Sequence, residues 1–199
     1  MNPDPNDERR SAQHVVVYAI DAVDRLCRVD EEWTRFADLN EGGERLKPET
    51  VLGESIWTYL RGESLRSLYR DLFAAARRSR DAIRFDFRCD SPAFRRYMQM
   101  ELQSGPAGEI RFASTTLRTE KREAPLAVQT AVTGHRHLIR CSVCNLFKLR
   151  DGTWREGSSI VAEDRALNDE KPLRIVWGVC PNCRQRLHVC SERHGPTTS

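Results

Sequence analysis

The spacing of apolar positions changes several times along the chain, and each change predicts a different element. Residues 15–30 hold short apolar and β-branched runs interrupted by Asp21 and Asp24, which predicts two short strands joined by a tight turn. Residues 31–40 are predicted to form a short helix that the side chain of Asp30 can cap. The first predicted elements are therefore two strands and a helix.

The clearest helical repeat covers residues 63–80. Its apolar side chains recur three and four positions apart, as one face of a helix with 3.6 residues per turn requires, and arginines occupy the opposite face. The apolar positions are Leu65, Leu68, Tyr69, Leu72, Phe73 and Ala76. This pattern predicts a long amphipathic helix packed on a core.

Strict alternation follows this helix, with the period of two that is typical of half-buried strands. Three strands are predicted, and Ser91-Pro92 and Gly105-Pro106 mark the turns between them. Their apolar positions are Ile83, Phe85 and Phe87, then Met98, Met100 and Leu102, then Ile110 and Phe112. The elements together predict an α+β fold, in which an antiparallel sheet carries helices on one side.

Composition is compatible with a protein that folds in water and has room for a second unit. The chain has 199 residues, of which 39% are hydrophobic, a net charge of +3, and no apolar run long enough to cross a membrane. Residues 1–14 are polar and lack the apolar stretch of a signal peptide, so we expect a disordered N-terminus and a cytoplasmic protein. A net charge of +3 does not by itself imply a nucleic-acid partner.

Four of the seven cysteines form two CxxC pairs beyond residue 140. Cys141 and Cys144 form the first pair, Cys180 and Cys183 form the second, and 35 residues separate the pairs. Two such turns can direct four thiolates at one tetrahedral ion, usually Zn²⁺, with no position left for water, which predicts a structural zinc. The resulting segments are a connector at 125–140, a small zinc-ribbon-like module at 141–190 and a flexible tail at 191–199.

Other uses of these cysteines stay open. Iron suits the same geometry, oxidants can open an exposed zinc–thiolate site, and two unrelated pairs of free thiols would bind nothing. Cys190 is interpreted as a spare thiol. The nearby histidines, any of which can replace a ligand, are His135, His137, His188 and His194.

Four stretches of the first unit carry a family resemblance. They are VDEEWTRFADLN (29–40), VLGESIWTYLRG (51–62), the helix at 64–80 and RFDFRCDSPAFRRYMQMEL (84–102). Together they resemble a bacterial subtype of PAS sensor domain, which assigns residues 15–124 to a PAS-like unit. The resemblance implies a small molecule bound between sheet and helices, or protein contacts without a ligand, and it implies a homodimer.

The resemblance extends into the cysteine module. The PAS subtype commonly continues with C-S-x-C-K, then G-x-W, then H-G-x-C-P-x-C. The matching stretches here are 141–144, 152–154 and 177–183, with Asn145 in place of the lysine and Trp177 in place of the histidine. The change at position 177 puts in doubt any role that needs a histidine beside the metal, and it leaves the four thiols untouched.

The sequence narrows the ligand of the PAS-like unit without identifying it. No histidine lies between His14 and His135, so a histidine-ligated haem is not expected in the first unit, and the flavin-binding cysteine signature is absent. Cys89, Met98 or Met100 could still ligate a haem, but alternation favours a place in the core for each of them.

A charged string follows the first strand of the three. If Asp90 pairs with an arginine across the hairpin, it sets the register of the two strands. Alternatively, these residues contact an anion or the carboxylate of a partner. The structural interpretation is favoured because charges of this kind usually form solvated pairs. The residues concerned are Arg88, Asp90, Arg95 and Arg96.

These features predict a non-enzymatic signalling protein. A PAS-like sensor or dimerisation domain would be coupled to a structural zinc module that contacts a protein partner. One alternative is a zinc-ribbon regulator that binds nucleic acid, although acidic residues interrupt its basic ones. A lesser alternative is a thiol-redox sensor. A metalloenzyme is disfavoured, because the thiolate site is closed and no H-x-E motif accompanies the cysteines.

Overall fold

The larger sheet is antiparallel and has five strands. The computed structural model describes residues 15–39, 43–123, 136–158 and 173–194. The strands are β1 (Val15–Ile20), β2 (Leu26–Val29), β3 (Ile83–Arg88), β4 (Phe94–Ser104) and β5 (Ile110–Lys121). Their order in the sheet is β2-β1-β5-β4-β3, so β3 forms one edge.

One face of this sheet is apolar because the predicted alternation stays in phase from strand to strand. The register places Phe85 beside Met100, and Met100 beside Ser114. In the next row Leu102 lies beside Phe112. The predicted apolar positions that are buried on this face are Ile83, Phe85, Met98, Met100, Leu102, Ile110 and Phe112.

Helices cover the apolar face. They are α1 (Glu31–Leu39), α2 (Pro48–Val51) and α3 (Glu63–Arg78), and 3₁₀ turns lie at Gly43–Leu46, Ile56–Thr58 and Pro106–Gly108. Asp30 caps α1 as predicted, since its Oδ1 accepts a hydrogen bond from the N–H of Trp33 at 2.8 Å. The predicted stripe of α3 faces the sheet, where the ring of Phe73 meets that of Phe112 edge to face at 5.6 Å between centroids.

The cysteine segment forms a second sheet and a helix. Its strands are β6 (Arg136–Cys141), β7 (Phe147–Lys148), β8 (Trp154–Arg155) and β9 (Leu173–Gly178), followed by α4 (Pro181–Arg193). The order is β8-β7-β6-β9, and β9 runs parallel to β6 while the other pairs are antiparallel. The described residues 136–158 and 173–194 are called the cysteine module below.

Two predicted boundaries need correction. The predicted connector at 125–140 includes most of β6, because the chain pairs with β9 from Arg136 onward. The predicted flexible tail at 191–199 begins inside α4, because Ser191 continues the buried stripe of Cys183 and Leu187 at intervals of four residues. The predicted disordered N-terminus, the rest of the connector and the end of the tail lie outside the described residues.

The two sheets share one hydrophobic core. Val143, Val179 and Leu187 of the cysteine module belong to the same buried cluster as Leu68 and Phe85 of the first unit. Helix α4 packs against α3 and β3. The predicted α+β class is confirmed, since helices cover one face of an antiparallel sheet and a small cysteine module follows it, and the two units share a core.

Within the described ranges, no helix combines the length and the apolar character needed to span a lipid bilayer.

Candidate metal centre

Two tight turns bring the CxxC pairs together. Cys141 ends β6, and Asn145 closes its turn in a left-handed conformation (φ +61°), with its N–H donating to the carbonyl of Cys141 at 3.0 Å. Cys180 caps the N-terminus of α4, where Pro181 occupies the first turn. Asparagine tolerates the left-handed conformation well, which gives a physical reason for Asn145 at this position.

The four sulfurs have the spacing of a tetrahedral metal site. All four Sγ atoms lie within 4.8 Å of one another, and those of Cys144 and Cys180 are 3.7 Å apart. A Zn–S bond of about 2.3 Å implies an edge of roughly 3.8 Å between sulfurs of a ZnS₄ tetrahedron. The donor set therefore fits a zinc ion held by Cys141, Cys144, Cys180 and Cys183.

The surroundings favour a structural site. Cys141, Cys180 and Cys183 are buried and Cys144 is half-buried. Backbone N–H groups point at the sulfurs: that of Cys180 lies 3.4 Å from Cys141 Sγ, and that of Cys183 lies 3.5 Å from Cys180 Sγ. Such bonds stabilise thiolates.

The thiols also interact directly with one another. Hydrogen bonds from Cys144 and then Cys183 hold the pKa of Cys141 far below its usual range, and the bond to Cys141 raises the pKa of Cys144 to about 12. The thiols thus share protons, and a divalent cation would displace these protons to give four thiolates.

The cysteine module covers the exposed edge of β3. The N–H of Arg88 donates to the carbonyl of Val143 at 2.8 Å, and Asn145 Nδ2 returns a bond to the carbonyl of Arg88 at 3.0 Å. The side chain of Arg186 donates to the carbonyl of Asp86 at 3.0 Å. The thiol of Cys190 lies 3.5 Å from the backbone carbonyl oxygen of Arg84. An edge strand that would otherwise present unpaired backbone groups is therefore paired by the cysteine module.

A buried ion network reinforces this junction. The guanidinium of Arg88 binds both Asp90 and Glu156, and the side chains of Arg88 and Asp90 are 8% and 2% exposed. Arg122 also binds Asp90, at 2.7 Å. Burial opposes the charge of Arg88, but its hydrogen bonds to Glu156 and Asp90 outweigh burial and raise its pKa. Since Glu156 belongs to the cysteine module, the network ties the module to the sheet.

The charged residues considered as anion or partner contacts all lie at or near this junction. Arg88 and Asp90 are occupied as described, so the carboxylate that Arg88 binds from outside its own hairpin is Glu156 of the same chain. Arg95 lies 3.6 Å from Glu156. Arg96 is half-buried and donates to the carbonyl of Cys89 at 3.4 Å. The pair of Arg88 and Asp90 is buried, whereas the sequence favoured a solvated pair.

A cavity of about 210 Å³ lies between α1 and the sheet. Its walls include Trp33 and Phe36 of α1, Phe87 and Cys89 at the end of β3, and Met98 and Met100 of β4. Burial raises the pKa of the Cys89 thiol, which therefore stays protonated at neutral pH. The three sulfur-bearing residues singled out in the sequence thus face one small, mainly apolar space.

The other singled-out residues have structural partners. Trp177 shares the guanidinium of Arg140 with Phe147, each ring centroid lying 5.4 Å from it. His188 pairs with Glu192 at 3.1 Å, and His194 Nδ1 lies 2.9 Å from the carbonyl of Cys190. His137 is exposed, and His135 lies outside the described residues. With four thiols clustered, the site needs no histidine ligand.

Sequence reasoning missed two members of the ion network. Glu156 lies 68 residues after Arg88, and Arg122 lies 32 residues after Asp90. Neither occurs in a motif, and both resemble the dispersed charges of a solvated surface. The docking of the cysteine module on β3 brings Glu156 to Arg88, and the pairing of β4 with β5 brings Arg122 to Asp90, so no local signal predicts either contact.

No protein-family model matches the chain, and no curated protein matches it. Among solved structures, the chain is similar to the photoactive yellow protein domain of the sensor histidine kinase Ppr from Rhodospirillum centenum, with 18% identity, a TM-score of 0.36 and coverage of 54% of this chain and 89% of that one. It is also similar to the PAS domain of an HTR-like protein from Haloarcula marismortui, with 17% identity, a TM-score of 0.32 and coverage of 57% and 84%.

Proposed function

We propose that this chain is a non-enzymatic signalling protein, in which a small ligand in the cavity under α1 changes how the cysteine module presents itself to a protein partner. One observation carries the proposal: consecutive residues at the end of β3 serve both sites. Phe87 and Cys89 line the cavity, whereas Arg88, on the opposite face, is bound by Asp90 and holds Glu156 of the cysteine module.

The strand geometry makes this coupling direct. Side chains alternate between the two faces of a strand, so Arg88 cannot move independently of its neighbours Phe87 and Cys89. A ligand that displaces Phe87 or Cys89 also displaces the anchor of Glu156. The packed interior transmits such a shift, because cores deform little.

The proposed zinc has a folding role. Cys141, Cys144, Cys180 and Cys183 would hold it, and it would supply a cross-link between β6 and α4 that the few apolar residues of the cysteine module cannot provide alone. Four thiolates would leave no open position on the ion for water or substrate, which supports a structural rather than a catalytic role.

The cavity limits the class of ligand. Its volume of about 210 Å³ lies below the roughly 300–1,000 Å³ typical of pockets for drug-sized molecules. Apolar and aromatic side chains dominate its walls. We therefore infer a small, uncharged, largely apolar molecule.

Native mass spectrometry with elemental analysis provides the first test. We expect one zinc per chain, a dimer as the family resemblance implies, and any co-purified small molecule in the same measurement. Absence of metal from the folded chain, or a dimer that binds only half a zinc per chain, would contradict the proposed site.

The coupling needs its own test, with indole as the apolar probe. In NMR spectra of the zinc-loaded chain, indole should shift the amide signals of cavity residues and also those of Val143, Asn145 and Glu156. Ser114→Leu, which fills the cavity, should abolish both sets of shifts. Thr115→Leu, at the next position on the opposite face of β5, is the matched control and should abolish neither. Shifts confined to the cavity would refute the coupling.

A further inference from the structure

A groove of about 880 Å³ runs between the two units on the side of α3. Helix α3 contributes Leu68 and Asp71 to its lining, and strands β7 and β8 contribute Lys148 and Trp154. The first turns of α4 complete the groove. It therefore exists only when the cysteine module is folded against the first unit.

The floor of the groove is apolar. Leu68 and Val179 are each only 7% exposed, and Trp154 is half-buried with its ring packed against the common core. An apolar floor with a large aromatic side chain, surrounded by polar groups, is the usual anatomy of a protein-binding hot spot.

The rim of the groove carries an excess of positive charge. Lys148 and Arg184 are both exposed, and within the described part of the chain neither forms an ion pair. His188 adds a third basic group, although it pairs with Glu192 at 3.1 Å. Asp71 is the one carboxylate among the described lining residues. The charge of the rim is therefore complementary to an acidic ligand.

We propose that this groove is the docking site for an acidic segment of a protein partner, which inserts one large apolar side chain between Leu68 and Trp154. This inference rests on the function proposed above and identifies the surface through which the cysteine module would signal. Lys148 and Arg184 lie on the rim, so they would set the rate of association and its salt dependence more than the final affinity.

A nucleic acid fits this surface less well. Its phosphates require a row of basic groups along the backbone. Here Asp71 faces the groove, and Asp151 lies at the exposed turn beside Gly152. An acidic peptide can direct its carboxylates at two or three basic groups without meeting these carboxylates.

Two sets of fluorescein-labelled peptides test the proposal on the full zinc-loaded chain. Each 12-residue peptide contains one Trp, Phe or Leu. The other positions hold Asp, Glu and Gly in the acidic set, and Lys replaces every acid in the matched basic set. We expect the acidic set to bind in fluorescence anisotropy, with NMR shifts confined to the groove and with the strongest binding for the aromatic members.

Charge reversals locate the contact. Lys148→Glu and Arg184→Glu should each weaken the acidic peptides roughly tenfold at low salt. Arg193→Glu makes the same change of charge on an exposed position of α4 outside the groove and should change the affinity less than twofold. Zinc content, measured for each variant, confirms that the cysteine module remains folded.

Three outcomes would overturn the docking site. They are equal binding of both peptide sets, NMR shifts that lie elsewhere, and absence of binding by the acidic set at millimolar peptide. Tighter binding of a 12-base-pair DNA duplex than of any peptide, sensitive to the same reversals, would assign the groove to nucleic acid instead. Because the indole experiment uses a different site, a failure of the groove and a failure of the coupling are distinguishable.

Discussion

The first unit and the cysteine module are stabilised in different ways. In the first unit, large side chains such as Phe73, Phe112 and Leu102 are fully buried between the sheet and α3. In the cysteine module, β7 and β8 are only two residues long, and the four cysteine thiols cluster at its centre. The first unit is thus stabilised mainly by burial of its own apolar surface, whereas the cysteine module would depend on the proposed metal and on contact with the first unit.

This difference implies that the cysteine module depends on the first unit for stability more than the first unit depends on the cysteine module. The cysteine module contacts the edge of β3 and one side of α3, and both elements also have partners inside the first unit. Loss of the cysteine module should therefore lower the stability of the first unit without unfolding it. Loss of the first unit should unfold the cysteine module, because it removes the surface against which the module packs. The following changes test this asymmetry, in order of decreasing effect.

Removal of one metal ligand should have the largest effect. Structural zinc contributes about 10–16 kcal/mol in small zinc peptides, which exceeds the stability of a typical domain. Cys180→Ser should therefore remove hydrogen-exchange protection from β6, β9 and α4, while the central strands β4 and β5 stay protected. Cys190→Ser is the control and should keep both regions protected. Equal loss of protection in both regions of Cys180→Ser would mean that the units fold only together.

A cavity in the core of the first unit should destabilise both units, because the cysteine module depends on the first unit. Phe112 is fully buried against Phe73, so Phe112→Ala should cost about 3–5 kcal/mol of the free energy of unfolding. Denaturant unfolding should show the cysteine module losing structure together with the sheet. Leu117→Ala, on the same strand and 49% exposed, should cost less than about 1 kcal/mol. A cysteine module that persists after the sheet unfolds would reverse the proposed dependence.

Gly62 probes the contact between the units. Its φ is +89°, and a Cβ added there would lie 2.9 Å from the carbonyl oxygen of Trp177 in β9. Gly62→Ala should cost about 1–3 kcal/mol, measured by thermal unfolding. Gly53 has a similar φ of +83° with nothing within 4 Å of the added Cβ, so Gly53→Ala isolates the backbone strain. If both variants lose the same stability, the approach of β9 contributes nothing.

The smallest of these effects is expected at the ion network. Glu156 is 31% exposed, so solvent screens its bonds, and Glu156→Gln should cost about 1–2 kcal/mol. It should also reduce the indole-induced shifts at Val143 and Asn145. Glu192→Gln, which removes an exposed carboxylate paired with His188, should change neither stability nor shifts measurably. Unchanged shifts in Glu156→Gln would exclude the network as the route of coupling.

The first unit was predictable because its apolar side chains recur at the short intervals that helices and strands require. The stripe of α3 and the alternation around Phe85 and Met100 follow directly from helix and strand periods. Asp30 was predictable as a cap from its position before a helical pattern. The four cysteines were predictable as a site because their spacing is itself the signal.

The rest of the cysteine module was not predictable for physical reasons. Helix α4 buries Cys183, Leu187 and Ser191, a stripe in which only leucine has strong apolar character. Two-residue strands are too short to show alternation. The groove and the bond between Arg88 and Glu156 depend on docking between segments that are far apart in the chain. Periodicity carries no information about such contacts.

The pairing of the β3 edge with the cysteine module also has a consequence for folding during synthesis of the chain on the ribosome. The groups that pair with β3 lie far downstream: Asn145 follows Arg88 by 57 residues, Arg186 follows Asp86 by 100, and Cys190 follows Arg84 by 106. The last strand of the sheet, β5, ends at Lys121, so the complete sheet leaves the ribosome 24 residues ahead of Asn145 and 69 residues ahead of Cys190. During that interval the nascent chain displays a bare strand, which other chains can join. Zinc supply at the moment of translation would then govern the yield of native protein as well as its final stability.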